Sequence, residues 1–384
     1  MSLDISYRPF GTLFLIPLRN GLNRPTSVRG KGIKMVNMGE LFANNRIGDL
    51  PMEKVQVSDD EAKKYLLEPG DLLFARQSLV REGAGKCSIF LGASEATTYE
   101  GHIIRTRIDK KIASPEFYYY YFNSSDGREN IESIIEQVSA AGIRGSDLAR
   151  LEVPYLYIAE QKKIASILGA FDDKIELNRR VNKSISSLTQ AVFLKWFVED
   201  KQVESWAIGR LDSLLVLQRG FDITKKDQVA GTVPVVSSSG ISSYHDVAKV
   251  KAPGIVIGRK GSLGTVHYLD VDFWPHDTTL WVKEYKLAKP AYAYYLIQTL
   301  DFEAFDTGSV VPTLNRNHVH SLPVSIAPPE LIEKFENFAG PLLNKIHAND
   351  RESLTLMKLR DALSLKLMSG ELRVKQANKV IENM

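Results

Sequence analysis

The feature that most restricts what this chain can fold into is a repeat at a constant spacing. Ile164 and Phe335, Phe171 and Leu342, Ile175 and Ile346, Asn178 and Asn349, Leu188 and Leu359, and Lys195 and Lys366 all pair at an offset of 171 residues. The register holds from Asp147/His318 to Phe197/Met368. Outside it the echo loosens: "SPEFYYYYFNS" (Ser114 to Ser124) answers "AKPAYAYYLIQT" (Ala288 to Thr299) at a different offset. A chain that writes one plan twice is expected to fold as two copies of one unit. The plan reads variable domain, long segment, variable domain, long segment.

The long segments carry helical signals. Between Glu160 and Phe197 there is no Pro and one Gly, and apolar residues recur at helical spacing. Such a stripe implies an amphipathic helix that buries one face. The second copy, Leu331 to Met368, contains Gly340-Pro341, so a kink or a late start is expected there. Written as heptads, the a positions read Ile164, Phe171, Asn178, Ile185, Val192 and Phe335, Leu342, Asn349, Leu356, Leu363. With Leu188 and Leu359 these form the expected helix-pair interface. A single Asn at an a position costs stability but fixes register, because only a polar partner satisfies its amide. Asn178 and Asn349 each sit near the midpoint of a helix, so antiparallel packing would let the two amides meet. The alternative is that each helix packs only on its adjacent domain.

The globular parts read as mixed α/β, and the expected fold class is two α/β domains alternating with two long helices in an antiparallel coiled coil, a pseudo-two-fold repeat. Expected boundaries are 1–150 and 200–320 for the domains, 151–199 and 321–372 for the helical segments, and 373–384 for a tail. Strands are expected at Gly32–Val36, Asp71–Ala75, Ser88–Leu91 and Ile103–Ile108, and again at Val233–Val236, Ile255–Gly258, Thr265–Tyr268 and Thr279–Lys283.

Several function classes fall away. "REGAGKCS" (Arg81 to Ser88) has the close of a Walker A loop, but Val80 stands where the first Gly belongs and Cys87 where Ser or Thr would hold the metal. No His-Glu-x-x-His site, Gly-x-Ser-x-Gly elbow, Gly-x-Gly-x-x-Gly fingerprint or Asn-Pro-Pro-Tyr motif occurs. No metal site and no catalytic set is expected. One cysteine in 384 residues fits a reducing cytosol, and no apolar run approaches membrane-spanning length. A net charge of +3 permits a nucleic-acid partner without demanding one.

The chemistry that remains is basic and amide-bearing. The first half offers Arg19, Arg24, Arg29 and Lys31 in "LRNGLNRPTSVRGKG", then Arg76, Gln77, Arg81 and Lys86 in "ARQSLVREGAGK". The second offers Tyr244 and His245, Arg259 and Lys260 in "GRKGSLG", and Asn315 and Arg316 in "TLNRNHVH". Arg and Lys neutralise phosphates, Arg reads guanine edges, and Asn and Gln read adenine. These are the candidate DNA contacts. A structural rod carrying two α/β modules is the alternative, and a DNA-binding assay separates the two.

The ordered set of segments resembles the specificity subunit of type I restriction–modification enzymes over nearly the whole chain. The resemblance rests on "IPLRNGLNRP", "PGDLLFAR", "PGIVIGRKGSLG" and, most specifically, "SDLARLEVPYLYIAEQKKIASILGAFDDKIELNRRV". The second copy, "HVHSLPVSIAPPELIEKFENFAGPLLNKI", departs from the "EQKKI" wording. The resemblance implies two target-recognition domains, each reading half of a split, asymmetric double-stranded DNA site, with the helix pair setting the spacer. It also implies two methyltransferase subunits using S-adenosylmethionine and a restriction/translocase subunit using ATP and Mg. The chain itself would be a cytoplasmic targeting component without catalysis, cofactor or membrane contact.

Overall fold

The structure, a computed structural model, describes residues 6–137, 140–302, 313–368 and 370–373. Most of the tail expected at 373–384 lies outside the described residues. The chain divides into two compact units: Met1–Ile175 with Leu354–Met384, and Glu176–Ser353. The boundary therefore cuts through both long helices, and each unit owns part of each.

The first unit holds a five-stranded sheet in the order Phe14–Asn20, Ile103–Ile108, Leu72–Ala75, Cys87–Phe90, Arg46–Ile47. Its first three junctions are antiparallel and its last is parallel. Beside it, Arg29–Val36 runs antiparallel to Lys54–Val55 and parallel to Thr97–Tyr99. The second unit repeats this plan. Leu215–Arg219, Thr279–Tyr285, Gly254–Gly258 and Val266–Leu269 form an antiparallel sheet in the same order. Val233–Ser237 runs antiparallel to Gly240–His245 and parallel to Trp274–Pro275. The eight strand segments expected from sequence all lie on these strands, within two residues at each end except Gly32, which opens three residues inside its strand.

Both long helices run 40 residues, Ile158–Phe197 and Pro329–Met368. The second starts on time and continues through Pro341, so no late start occurs. Proline removes one backbone N–H, a loss that a helix anchored on both sides of the site tolerates. In the first core Ile164, Leu168 and Phe171 pack with Leu363 and Leu367, and Leu356 and Leu359 are half-buried against it. In the second core Phe193 and Phe197 pack with Phe335, Ala339 and Leu343. Within each unit, an early stretch of one helix thus meets a late stretch of the other, as antiparallel pairing requires.

Two details of the seam differ from the heptad reading. Leu188 is 52% exposed and lies outside the interface, while Ile185 and Val192 are only half-buried and Thr189, Phe193 and Phe197 are buried. Likewise Leu342 is half-buried and Leu343 is buried. An α-helix drifts about 20° per heptad against a strict seven-residue repeat. Four heptads from Ile164 to Val192 accumulate roughly 80°, nearly one residue's turn, so in the first helix the buried face steps on by one position; Leu342, one heptad from Phe335, has no such account.

The central amides also pair differently. Asn178 and Asn349 are both buried. The Asn178 amide points at Asn349 O (3.3 Å), Glu352 Oε2 (2.8 Å) and Ser353 Oγ (3.2 Å). The Asn349 amide instead donates to Asn182 Oδ1 at 2.8 Å, and Asn182 donates to Asp350 Oδ1 at 2.8 Å. The two amides do not bond side chain to side chain. Each finds its acceptor about one turn away, and the polar layer spreads over both helices. No helix among the described residues is long and apolar enough to cross a membrane.

Candidate nucleic-acid interface

Each unit builds a polar cleft at the corresponding end of its main sheet. In the first unit the edge strand ends at Asn20, which is exposed. The chain then turns through Gly21, whose N–H donates to Ile103 O (3.1 Å) and where a Cβ would lie 2.2 Å from Tyr99 O. Only glycine fits so close to a carbonyl. Across the sheet, Arg76 follows the strand Leu72–Ala75. Its N–H donates to His102 O (2.8 Å), and its carbonyl accepts from Ile143 N–H (3.0 Å). That last bond brings Arg144, one residue before the helix Gly145–Arg150, to the same place. Asn20, Arg76, Gln77, Glu136 and Arg144 line a cleft of about 400 Å³. Arg144 is held by Glu136 at 2.7 Å.

The second unit repeats the construction bond for bond. Arg219 ends the edge strand, Gly220 N–H donates to Thr279 O (3.0 Å), and a Cβ on Gly220 would lie 2.0 Å from His276 O. Arg259 N–H donates to Thr278 O (2.9 Å), and Arg259 O accepts from Leu314 N–H (2.9 Å). Asn315 follows and caps the helix Arg316–His320, its Oδ1 accepting from Asn317 N–H at 2.9 Å. Arg219, Arg259, Asn315 and Arg316 line a cleft of about 360 Å³. Asp277 lies 3.0 Å from the Arg219 guanidinium. Burial and the neighbouring Arg219 hold the Arg259 guanidinium below its usual pKa. An anion entering there would relieve that repulsion.

Of the residues expected from sequence, the clefts bring together Arg76 and Gln77 in one unit and Arg259, Asn315 and Arg316 in the other. Lys260 bridges Thr313 beside the second cleft. Arg19 neighbours Asn20, but strand alternation sends it to the other face, and its guanidinium lies 5.3 Å over the Tyr65 ring. Lys31, Arg81 and Tyr244 are exposed outside both clefts.

Four candidates are held by contacts within their own unit. Arg24 pairs with Glu61 at 2.6 Å and donates to Gln56 O, and this contact holds the Glu61 carboxyl down at about 2. Arg29 pairs with Glu53 at 2.6 Å and donates to Arg24 O. Lys86 donates to Phe42 O, and burial pushes its amine below the usual value. His245 is buried, receives Val229 N–H at 3.1 Å and meets the Trp274 ring edge-on at 5.2 Å. None of these four lines either cleft.

Sequence reasoning missed Arg144 and Arg219 as cleft-lining residues. One signal was available: the 171-residue register, extended three positions ahead of Asp147/His318, pairs Arg144 with Asn315. A second hollow of about 540 Å³ continues from Arg219 past Phe221, Lys249 and Trp274, with the Lys249 amine 4.9 Å over the Trp274 ring. Among the described residues, Asp222, His276 and Asp277 bring ligand atoms within 4.8 Å of one another. Asp277 is engaged by Arg219, and His276 Nδ1 meets Thr278 Oγ1 at 3.1 Å, so the cleft's own contacts account for this group.

Residues 27–187 match the family described as type I restriction modification DNA specificity domain. The chain is 24% identical over 328 residues to the specificity subunit of the type I restriction enzyme MjaIX of Methanocaldococcus jannaschii, covering 75% of this chain and 76% of that protein. It is 28% identical over 191 residues to the EcoKI specificity subunit of Escherichia coli, covering 48% of this chain and 40% of that one. Its fold is similar to the crystal structure of the type I restriction–modification S subunit from M. genitalium, with TM-score 0.67, 17% identity, and 96% and 97% of the two chains covered. By sequence, the chain is similar to specificity subunits of type I restriction–modification systems, and its fold is that of the M. genitalium S subunit.

Proposed function

We propose that this chain is the non-catalytic, DNA-reading component of a type I restriction–modification complex, each unit reading one half of a split double-stranded site. The observation that carries this reading is the duplicated cleft: the same backbone hydrogen bonds set an arginine, Arg76 or Arg259, at the same point of two matching sheets. Guanidinium and amide groups on a rigid frame are the chemistry that reads base edges and holds phosphates. The two antiparallel helices set the unread spacer and dock two methyltransferase subunits. An unbroken helix of 40 residues is about 60 Å long, which exceeds the roughly 34 Å between half-sites one DNA turn apart. S-adenosylmethionine, ATP and Mg act in the methyltransferase and restriction subunits of this cytoplasmic assembly.

Co-expression with its cognate methyltransferase, followed by mapping of methylated adenines, yields a two-part consensus with a fixed gap. A continuous consensus, or none, overturns the reading. Arg76→Ala with Arg259→Ala weakens binding of the cognate duplex. If both arginines hold phosphates, the slope of log affinity against log salt falls by about 0.9 per substitution. Unchanged affinity at matched salt removes both arginines from the interface.

A further inference from the structure

The two clefts are alike in frame but reversed in content. Superposing their hydrogen bonds matches Gly21 with Gly220, Arg76 with Arg259, and Ile143 with Leu314. The residues beside those anchors then correspond: Asn20 with Arg219, and Arg144 with Asn315. Read across the sheet from the edge strand to the helix start, the first cleft presents Asn20, Arg76, Arg144 and the second presents Arg219, Arg259, Asn315. The central arginine is common. The flanking amide and guanidinium have changed places.

An acid accompanies the flanking arginine in each case, Glu136 beside Arg144 and Asp277 beside Arg219. A carboxylate at 2.7 to 3.0 Å restrains the guanidinium and fixes the direction of its fork. Asn315 spends one lone pair of Oδ1 on its helix cap and retains the second, together with its NH2.

We propose that Asn20 with Arg144, and Arg219 with Asn315, are the specificity-determining pairs of the two units, and that their exchange makes the units read adenine and guanine in opposite order. Arg76 and Arg259, identical in both clefts, do the common work of holding the duplex. The inference rests on the DNA-reading function proposed above and deepens it. Its chemical basis is that a guanidinium donates twice to guanine O6 and N7, whereas a carboxamide both donates and accepts and so matches adenine N6 and N7.

The test is selection from a randomised duplex pool by the full chain, assembled with its methyltransferase subunits. N20R/R144N keeps the net charge of the first cleft, so affinity for non-cognate duplex stays within about twofold. The expected result is a reversed order of adenine and guanine in the first half-site. The original bases at those two positions fall roughly tenfold or more in relative affinity, while the second half-site is unchanged and reports an intact fold. The reciprocal variant R219N/N315R reverses the second half-site alone. An unchanged consensus in either variant overturns the inference, and so does loss of preference in both without a new one. If the unaltered protein selects no gapped sequence at all, it is the DNA-reading function that fails.

Discussion

Both units seat a short tyrosine-rich helix on the long-helix pair, and they hold it by different chemistry. In the first unit the helix Pro115–Phe122 places Tyr120 Oη 2.7 Å from Asp172 Oδ2, and Arg360 from the other long helix pairs with the same carboxylate. In the second, Tyr295 of the helix Pro290–Gln298 bonds Thr189 Oγ1 instead. The 171-residue register matches Asp172 with Leu343 and Arg360 with Thr189. Where one unit buries an ion pair, the other therefore buries a leucine and a hydroxyl. Around them stand Phe193, Phe197, Tyr292 and Phe335, with ring centroids 4.9 Å apart for Phe197–Tyr292 and 5.4 Å for Phe193–Phe335.

The helix starts diverge as well. Ser114 caps the first through Phe117 N–H, and its own N–H donates to Gln161 Oε1 at 2.8 Å. Lys289 at the second start makes no side-chain cap, and Glu336 from the long helix accepts from Ala291 N–H (2.8 Å) and Tyr292 N–H (3.2 Å). Duplication preserved the backbone problem, orphan N–H groups and a helix face to cover, and left each unit free to solve it separately.

The largest expected effect breaks this comparison at the ion pair. Arg360→Ala leaves Asp172, whose side chain is 7% exposed, buried without its cation and costs about 3–5 kcal/mol. D172L/R360T gives the first unit the residues of the second. Replacing a buried ion pair by apolar packing is often neutral or stabilising, so the double variant recovers most of that loss. Hydrogen exchange across both units of the full chain measures it: protection falls in the first unit alone for Arg360→Ala and returns in the double variant. A double variant as unstable as the single one would mean that the charges orient Tyr120 in a way apolar packing cannot replace.

The long helices were legible because 40 residues of periodic apolar sequence outweigh one internal proline, and two of the strands because an apolar run follows Pro69-Gly70 and Pro253-Gly254. The seam was only half legible. Ile164 and Phe171 are buried as the heptads place them, but a seven-residue ruler laid on a 3.6-residue helix loses the face by Val192. The clefts were harder still. A sequence displays the charge of Arg24, Arg29 and Lys86 but not Glu61, Glu53 and the Phe42 carbonyl, which lie elsewhere in the chain and engage them. Conversely Arg144, near the end of the domain expected at 1–150, carried no reading of its own. It acquires its place only when Ile143 N–H finds Arg76 O across a long interval of chain.

A smaller effect sharpens the contrast between units through pH. His320 Nε2 accepts Leu217 N–H at 2.8 Å, tying the second helix's approach to the edge strand that ends at Arg219. At the matching position the first unit has Ala149, which does not titrate. Burial lowers the His320 pKa from 6.5, and the charges of Arg316, Lys286 and Arg210 push the same way against the raising influence of Asp212. A histidine with a depressed folded pKa contributes its full stabilisation above 6.5 and loses it as pH falls through the folded value. Below pH 6.5, therefore, exchange protection in Leu215–Arg219 declines before that of Phe14–Asn20, because protonated Nε2 can no longer accept. H320Q keeps an acceptor without a proton to gain and flattens the difference. Equal decline of the two strands, or an undiminished difference in H320Q, would place the acid sensitivity elsewhere.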